Sequence, residues 1–156
     1  VLLRRNRGDI PPQEAEVITL CGGAVADVRR VRPAPRRRTW LQRLLSRRPQ
    51  EFVIGLAEDA SIPIGTDALL GRERFCLIDG STDRPRLNLL PGMRGEITVG
   101  ASQLSAEQML RDPGLRRDAG DSSYPLPNGA QARIRCGSLT FLIRCIAPGE
   151  GEPAPA

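Results

Sequence analysis

Histidine is missing from this 156-residue chain, and all 23 of its basic residues are Arg, so Lys is missing too. The first absence removes the commonest general base, the commonest zinc ligand and the usual near-neutral pH switch together. The second carries no mechanism, because an exposed cation can be either residue; it points to a GC-rich coding bias and hence to a bacterium. Aromatic residues make up only 3% of the chain: Trp40, Tyr124 and three Phe. The core must therefore be built from Leu, Ile, Val and Ala. No apolar run approaches the roughly 18 residues of a spanning helix, and no signal-peptide core is present. What remains is ordinary globular composition, 40% hydrophobic and 26% charged, long enough for one domain with a flanking arm.

The signatures of catalysis are also missing. The four cysteines, Cys21, Cys76, Cys136 and Cys145, form no C-x2-C pair, and no His can complete a zinc site. They read as buried thiols acting as small hydrophobes, with a bridge between Cys21 and Cys76 left open; the low disulfide expectation leans cytoplasmic. The acid pairs Glu58-Asp59 and Asp79 with Asp83 have the composition of acid–base or Mg2+ sites. In loops, such acids serve solubility and turn geometry more often. There is no G-x-S-x-G elbow, Walker A sequence or G-x-G-x-x-G run, and Pro127-Asn128-Gly129 reads as a turn rather than a phosphate loop. The expectation is a protein that is not an enzyme, with no cofactor, no metal and no small-molecule substrate.

The charge is unevenly placed. Nine Arg fall between Val28 and Arg48 (Arg29, Arg30, Arg32, Arg36, Arg37, Arg38, Arg43, Arg47 and Arg48) with no acid among them, although the whole chain carries only +5. The rest of the chain is slightly acidic. Such a cluster stays together only if it is solvated or faces an anion. Thr39-Trp40-Leu41-Gln42 reads as a capping box opening a short helix to about Arg47, with Trp40, Leu41, Leu44 and Leu45 on one face. These nine arginines and Trp40 are the candidate contact for an acidic protein partner or an anionic membrane surface. A nucleic-acid-binding module is the alternative, weakened because Trp40 is the one ring available for stacking.

Elsewhere the pattern is that of short strands. Residues 1–14 read as an arm. Glu16 to Cys21, Ala24 to Val31, Glu51 to Gly55, Arg74 to Asp79, Arg86 to Leu90 and Gly95 to Val99 read as strands, with Gly22-Gly23 and Pro91-Gly92 as turns. Ser61 to Ile64 reads as a short edge strand because of Pro63. Ser105 with Gln108 forms a second capping box, flanked by a Leu104–Met109 staple; Gly114 to Ser123 reads as exposed loop. The closing hairpin is the best-determined element. Gly137-Ser138 suits a type II′ turn and sets Cys136 opposite Leu139, Ile134 opposite Phe141, Ala132 opposite Ile143 and Ala130 opposite Cys145, all on one apolar face. Burying that face stabilises the fold by about 2 kcal/mol per large side chain. The same register holds Cys136 and Cys145 too far apart to bridge. The fold expected is mainly β, an antiparallel β-sandwich with two short helices, over residues 15–148 with the Arg-rich insert at about 29–49 and a Pro/Ala-rich tail at 149–156.

Several stretches together resemble one family. They are Val17 to Gly23 followed by Val28, Phe52-Val53-Ile54-Gly55 with Ile62-Pro63-Ile64, Leu90-Pro91-Gly92-Met93-Arg94-Gly95-Glu96, Tyr124-Pro125-Leu126-Pro127 with Gly129-Ala130, and Gly137-Ser138-Leu139-Thr140-Phe141. Their order and spacing resemble a domain of myxobacterial TonB-family envelope proteins. Those proteins include components of the gliding-motility machinery, and several of the family's proteins also carry a forkhead-associated (FHA) domain. The resemblance implies an FHA-like sandwich acting as a scaffold or interaction domain, on the cytoplasmic side, in the inner-membrane-tethered part of a longer protein. FHA domains that read phosphothreonine use an Arg, a Ser, a His and an Asn in set loops, and this chain departs from that pattern in having no His.

Overall fold

The computed structural model describes residues 13–33, 51–81, 84–112 and 122–146. Ten strands follow in chain order: β1 (Glu14–Cys21), β2 (Ala24–Val31), β3 (Glu51–Gly55), β4 (Arg74–Asp79), β5 (Arg86–Leu89), β6 (Arg94–Val99), β7 (Ser102–Ser105), β8 (Ser122–Pro125), β9 (Gln131–Cys136) and β10 (Leu139–Ile146). A 3-10 turn, Thr66–Leu69, precedes β4, and a helix, α1 (Ala106–Arg111), follows β7. Two antiparallel sheets result, one of order β2-β1-β10-β9-β6-β7 and one of order β3-β4-β5-β8. The turn at Pro91-Gly92 carries the chain from the smaller sheet to the larger. A parallel bridge from Ile54 to Ile62 extends the edge of β3.

Local chemistry accounts for the connections. Gly22 and Gly23 take φ of 60 and 83, the two left-handed positions that a type I′ hairpin needs. In the closing hairpin only Gly137 is left-handed, as a type II′ turn requires, and the ladder runs from Leu139↔Cys136 to Arg144↔Gln131. The next rung is held by the Cys145 N–H donating to the Ala130 carbonyl at 2.9 Å. Around α1, the Ser105 hydroxyl accepts from Gln108 N–H while the Gln108 side chain accepts from Ser105 N–H, so both halves of the capping box are made.

One apolar cluster joins the two sheets. It takes Ala15 and Val17 from β1, Phe52 and Ile54 from β3, Leu77 and Ile78 from β4, Leu87 and Leu89 from β5, and Ile134, Phe141 and Ile143 from the closing hairpin. Phe52 and Phe141 meet edge to face between the sheets, ring centroids 5.8 Å apart. The alternation within the hairpin is as expected, with Ala132, Ile134 and Cys136 buried and Gln131, Arg133 and Arg135 exposed.

Several expectations need correction. Glu14, assigned to the arm, begins β1 and is buried. Ser122 and Ser123, assigned to a loop, are buried residues of β8; two adjacent serines carry no strand signal, and their pairing with Leu89 and Asn88 is what makes them one. Leu104 and Ser105 also form β7, a strand too polar to announce itself. The second expected helix, with its capping box at Thr39, lies outside the described residues, as do residues 149–156.

The cysteines divide into two kinds. All four are free; Cys136 and Cys145 are buried as expected, but Cys76 is only partly covered and Cys21, beside the hairpin turn, is exposed. Burial pushes both inner thiols up from their ordinary 9.0, Cys145 to about 11. The neutral thiol is thus the form the fold accommodates, and the unfolded chain loses its thiol proton first as pH rises. Stability is complete below pH 9 and falls as pH climbs toward 11, by on the order of 2 kcal/mol for Cys145. Denaturant melts from pH 8 to pH 11 should show this decline, and a Cys145→Ala variant should flatten it. At neutral pH, alkylation should label Cys21 in the native protein and reach Cys145 only on unfolding.

Candidate interaction surface

Three of the nine candidate arginines are described, and all three are held by acids of the same chain. Arg30 projects from the outer face of β2 and lies 3.6 Å from both Glu14 and Glu16. Arg32 contacts Glu14 at 3.1 Å, and Arg29 pairs with Asp27 on its own strand at 3.1 Å. Glu16 also accepts from Arg144 Nε at 2.7 Å. The two carboxylates of β1 are therefore buried beneath a lattice of guanidinium groups, an arrangement in which each charge compensates its neighbours' desolvation. Arg36, Arg37, Arg38, Trp40, Arg43, Arg47 and Arg48 lie outside the described residues.

The ladders arrange the outer face of the six-stranded sheet in three rows. The first reads Arg30, Glu16, Arg144, Gln131 and Thr98. The second reads Val28, Ile18, Leu142, Arg133 and Glu96, and the third Val25, Leu20, Thr140, Arg135 and Arg94. The β2 side of this face is apolar and open: Val25 is 63% exposed and Val28 54%. The β6 side is basic. Arg94 stands directly opposite Arg135, with Arg133 two residues along the same strand, and all three are exposed. Among the described residues none of the three forms an ion pair; Glu96, opposite Arg133, instead accepts from the Gln103 side chain at 2.7 Å.

Like charges directly opposite on neighbouring strands destabilise a sheet, so the Arg94–Arg135 rung is a place where an anion would lower the energy of the fold. Sequence reasoning did not find it. The hairpin register already put Arg133 and Arg135 on the outer face, but only the pairing of β6 with β9 brings Arg94 against them, and that pairing joins segments about 40 residues apart in sequence.

The acidic loop residues have structural work. Asp59 and Glu51 accept from Arg74 at 2.8 and 2.7 Å; these hydrogen bonds, Asp59 first, push the Arg74 pKa above its ordinary value. Asp79 accepts from the Ser81 N–H, closing a turn; Asp83 lies outside the described residues. Among the described residues no cluster of His, Cys, Asp and Glu has the makings of a metal site, and no helix is long and apolar enough to cross a membrane. Comparisons of the chain with protein-family models, with curated proteins and with solved structures find no match.

Proposed function

We propose that this chain is a non-catalytic interaction domain, an FHA-like β-sandwich serving as a scaffold element in a bacterial cell-envelope assembly of the TonB-family, gliding-motility-like kind. Its anionic partner docks on the outer face of the six-stranded sheet, aided by the arginines that follow β2 in sequence. The observation that carries this reading is the unrelieved Arg94–Arg135 rung with Arg133, set on the same face as the exposed Val25 and Val28 of β2 and the half-buried Ile18, Leu20 and Leu142. An apolar patch rimmed by cations suits a partner presenting both carboxylates and hydrophobic side chains. Support for the FHA-like form comes from two antiparallel sheets sharing one core. Support for the family comes from the positions of the resembling motifs, which include β3, the Pro91-Gly92 crossing and the Gly137 turn. Nucleic acid is the weaker reading: the three Phe are buried and Tyr124 belongs to the smaller sheet, so the basic face has no stacking ring among the described residues.

The test is binding of the full chain to polyglutamate, to vesicles containing anionic lipid and to a labelled oligonucleotide, each over a salt series. Salt-sensitive binding to the first, or to vesicles if the anion is lipid, should weaken about tenfold in the Arg94→Glu/Arg135→Glu variant. It should also weaken when Arg36, Arg37 and Arg38 are changed together to Glu. Arg135→Thr should lower affinity while raising thermal stability, by roughly 0.2–1 kcal/mol, because the like-charge rung is removed. Unchanged binding in these variants, or preference for the oligonucleotide, would overturn the proposal.

A further inference from the structure

The residues of β2 are arranged to pair with themselves along its outer edge. Among the described residues β2 has a strand neighbour on one side only. Its middle is uncovered on both faces: Val28 is exposed on the outer face, and Arg29, on the face that carries the core farther inward, is exposed as well. Around Val28 the smaller sheet therefore does not reach beneath this edge, although Val31 farther along is buried in the core, and no strand among the described residues occupies it. The strand holds no Pro and no lone charge that would bar an incoming backbone.

A closed two-fold dimer of antiparallel edges requires each residue to face one on the same side of the sheet, so the axis passes beside a single residue. Centred on Asp27, the pairing sets Asp27 against itself. Centred on Arg29 or Arg30, it sets two arginines together. Centred on Val28, it sets Asp27 opposite the other copy's Arg29 and Arg29 opposite its Asp27, with Val28 against Val28. Of these registers only the last turns every central charge toward its opposite. The Asp27–Arg29 pair, 3.1 Å within one strand, then becomes two reciprocal pairs between strands. On the outer face the apolar row Leu142, Ile18, Val28 runs on unbroken into its own copy. The bulge that leaves Ala26 unmatched against β1 flanks this central ladder on both sides and limits its length, so the association is a modest one.

We infer that two copies of this chain associate through antiparallel pairing of their β2 edges about Val28. The inference goes beyond the anionic partner proposed above and needs no partner to test. Sedimentation of the full chain at low salt, over a wide concentration series, should show a reversible monomer–dimer equilibrium. Asp27→Arg and Arg29→Asp should each weaken it by about tenfold or more, since two attractive pairs become repulsive. The double variant D27R/R29D should bring the dimer back to near its original strength. Circular dichroism, unchanged in all three, would show that the exposed substitutions leave the fold intact. A chain that stays monomeric throughout the series, a dimer indifferent to the single reversals, or a double variant that does not recover would each overturn the inference.

Discussion

Phe141→Ala should lower the free energy of unfolding by about 3–5 kcal/mol, a large share of what a domain of this size has. Phe141 is fully buried and is the residue of β10 that reaches across to Phe52 of β3. Phe52 is itself held in β3 and the core, and aromatics are so few here that no further ring can move in to fill the space. The surrounding Ile and Leu side chains are fixed by two ladders and relax only in part, so the cost includes a cavity as well as lost transfer energy. Urea melts measure this directly, as a lower midpoint with an unchanged slope. Loss of less than about 1 kcal/mol would mean that the two sheets do not share the core described.

Gly95→Ala should be comparably severe for a different reason. Gly95 sits in β6 with φ of 143, a conformation that side-chain-bearing residues rarely adopt, and a Cβ there would fall on the Arg133 carbonyl oxygen of β9. The strand would have to part from its neighbour or shift register. A cost on the order of 3 kcal/mol or more is expected, with the damage concentrated on the β6–β9 ladder. Amide exchange should show it: protection lost first on β6, β7 and the facing side of β9, while β1, β2 and β10 keep theirs. Because that ladder also creates the Arg94–Arg135 rung, the variant should lose salt-sensitive anion binding even where it remains folded. By contrast, Gly92 has open space around it, so substitution there strains only its backbone.

The closing hairpin was legible because three independent signals agreed: a Gly-first two-residue loop, strict alternation, and a length that fits. Its register is the one expected, rung for rung. The strands of β1 to β6 were readable for similar reasons, to within a residue or two at their ends. β7 and β8 were not. Ser102–Ser105 and Ser122–Pro125 have little β-propensity and little hydrophobicity, and they are strands because neighbours offer them hydrogen bonds. The site divides the same way. A local run of arginines is visible in any sequence, yet Arg30 and Arg32 are tied to Glu14 and Glu16, partners that the β1–β2 ladder supplies, while Arg29 is held by Asp27 of its own strand. The basic rung is built by residues that look unremarkable one at a time, because cross-sheet juxtaposition leaves no trace in local pattern.

The rung between Glu14 and Ile146 has a mechanical consequence. β1 enters the larger sheet and β10 leaves it at the same end, side by side and antiparallel. Tension drawn through the chain at these two residues pulls across the hydrogen bonds rather than along the strands, and so meets them one after another instead of all at once. The domain would yield by peeling from that end at low force, with Thr19, Phe141 and the hairpin turn the last to part. A module loaded at those two residues would on this account act as a compliant joint rather than a stiff strut.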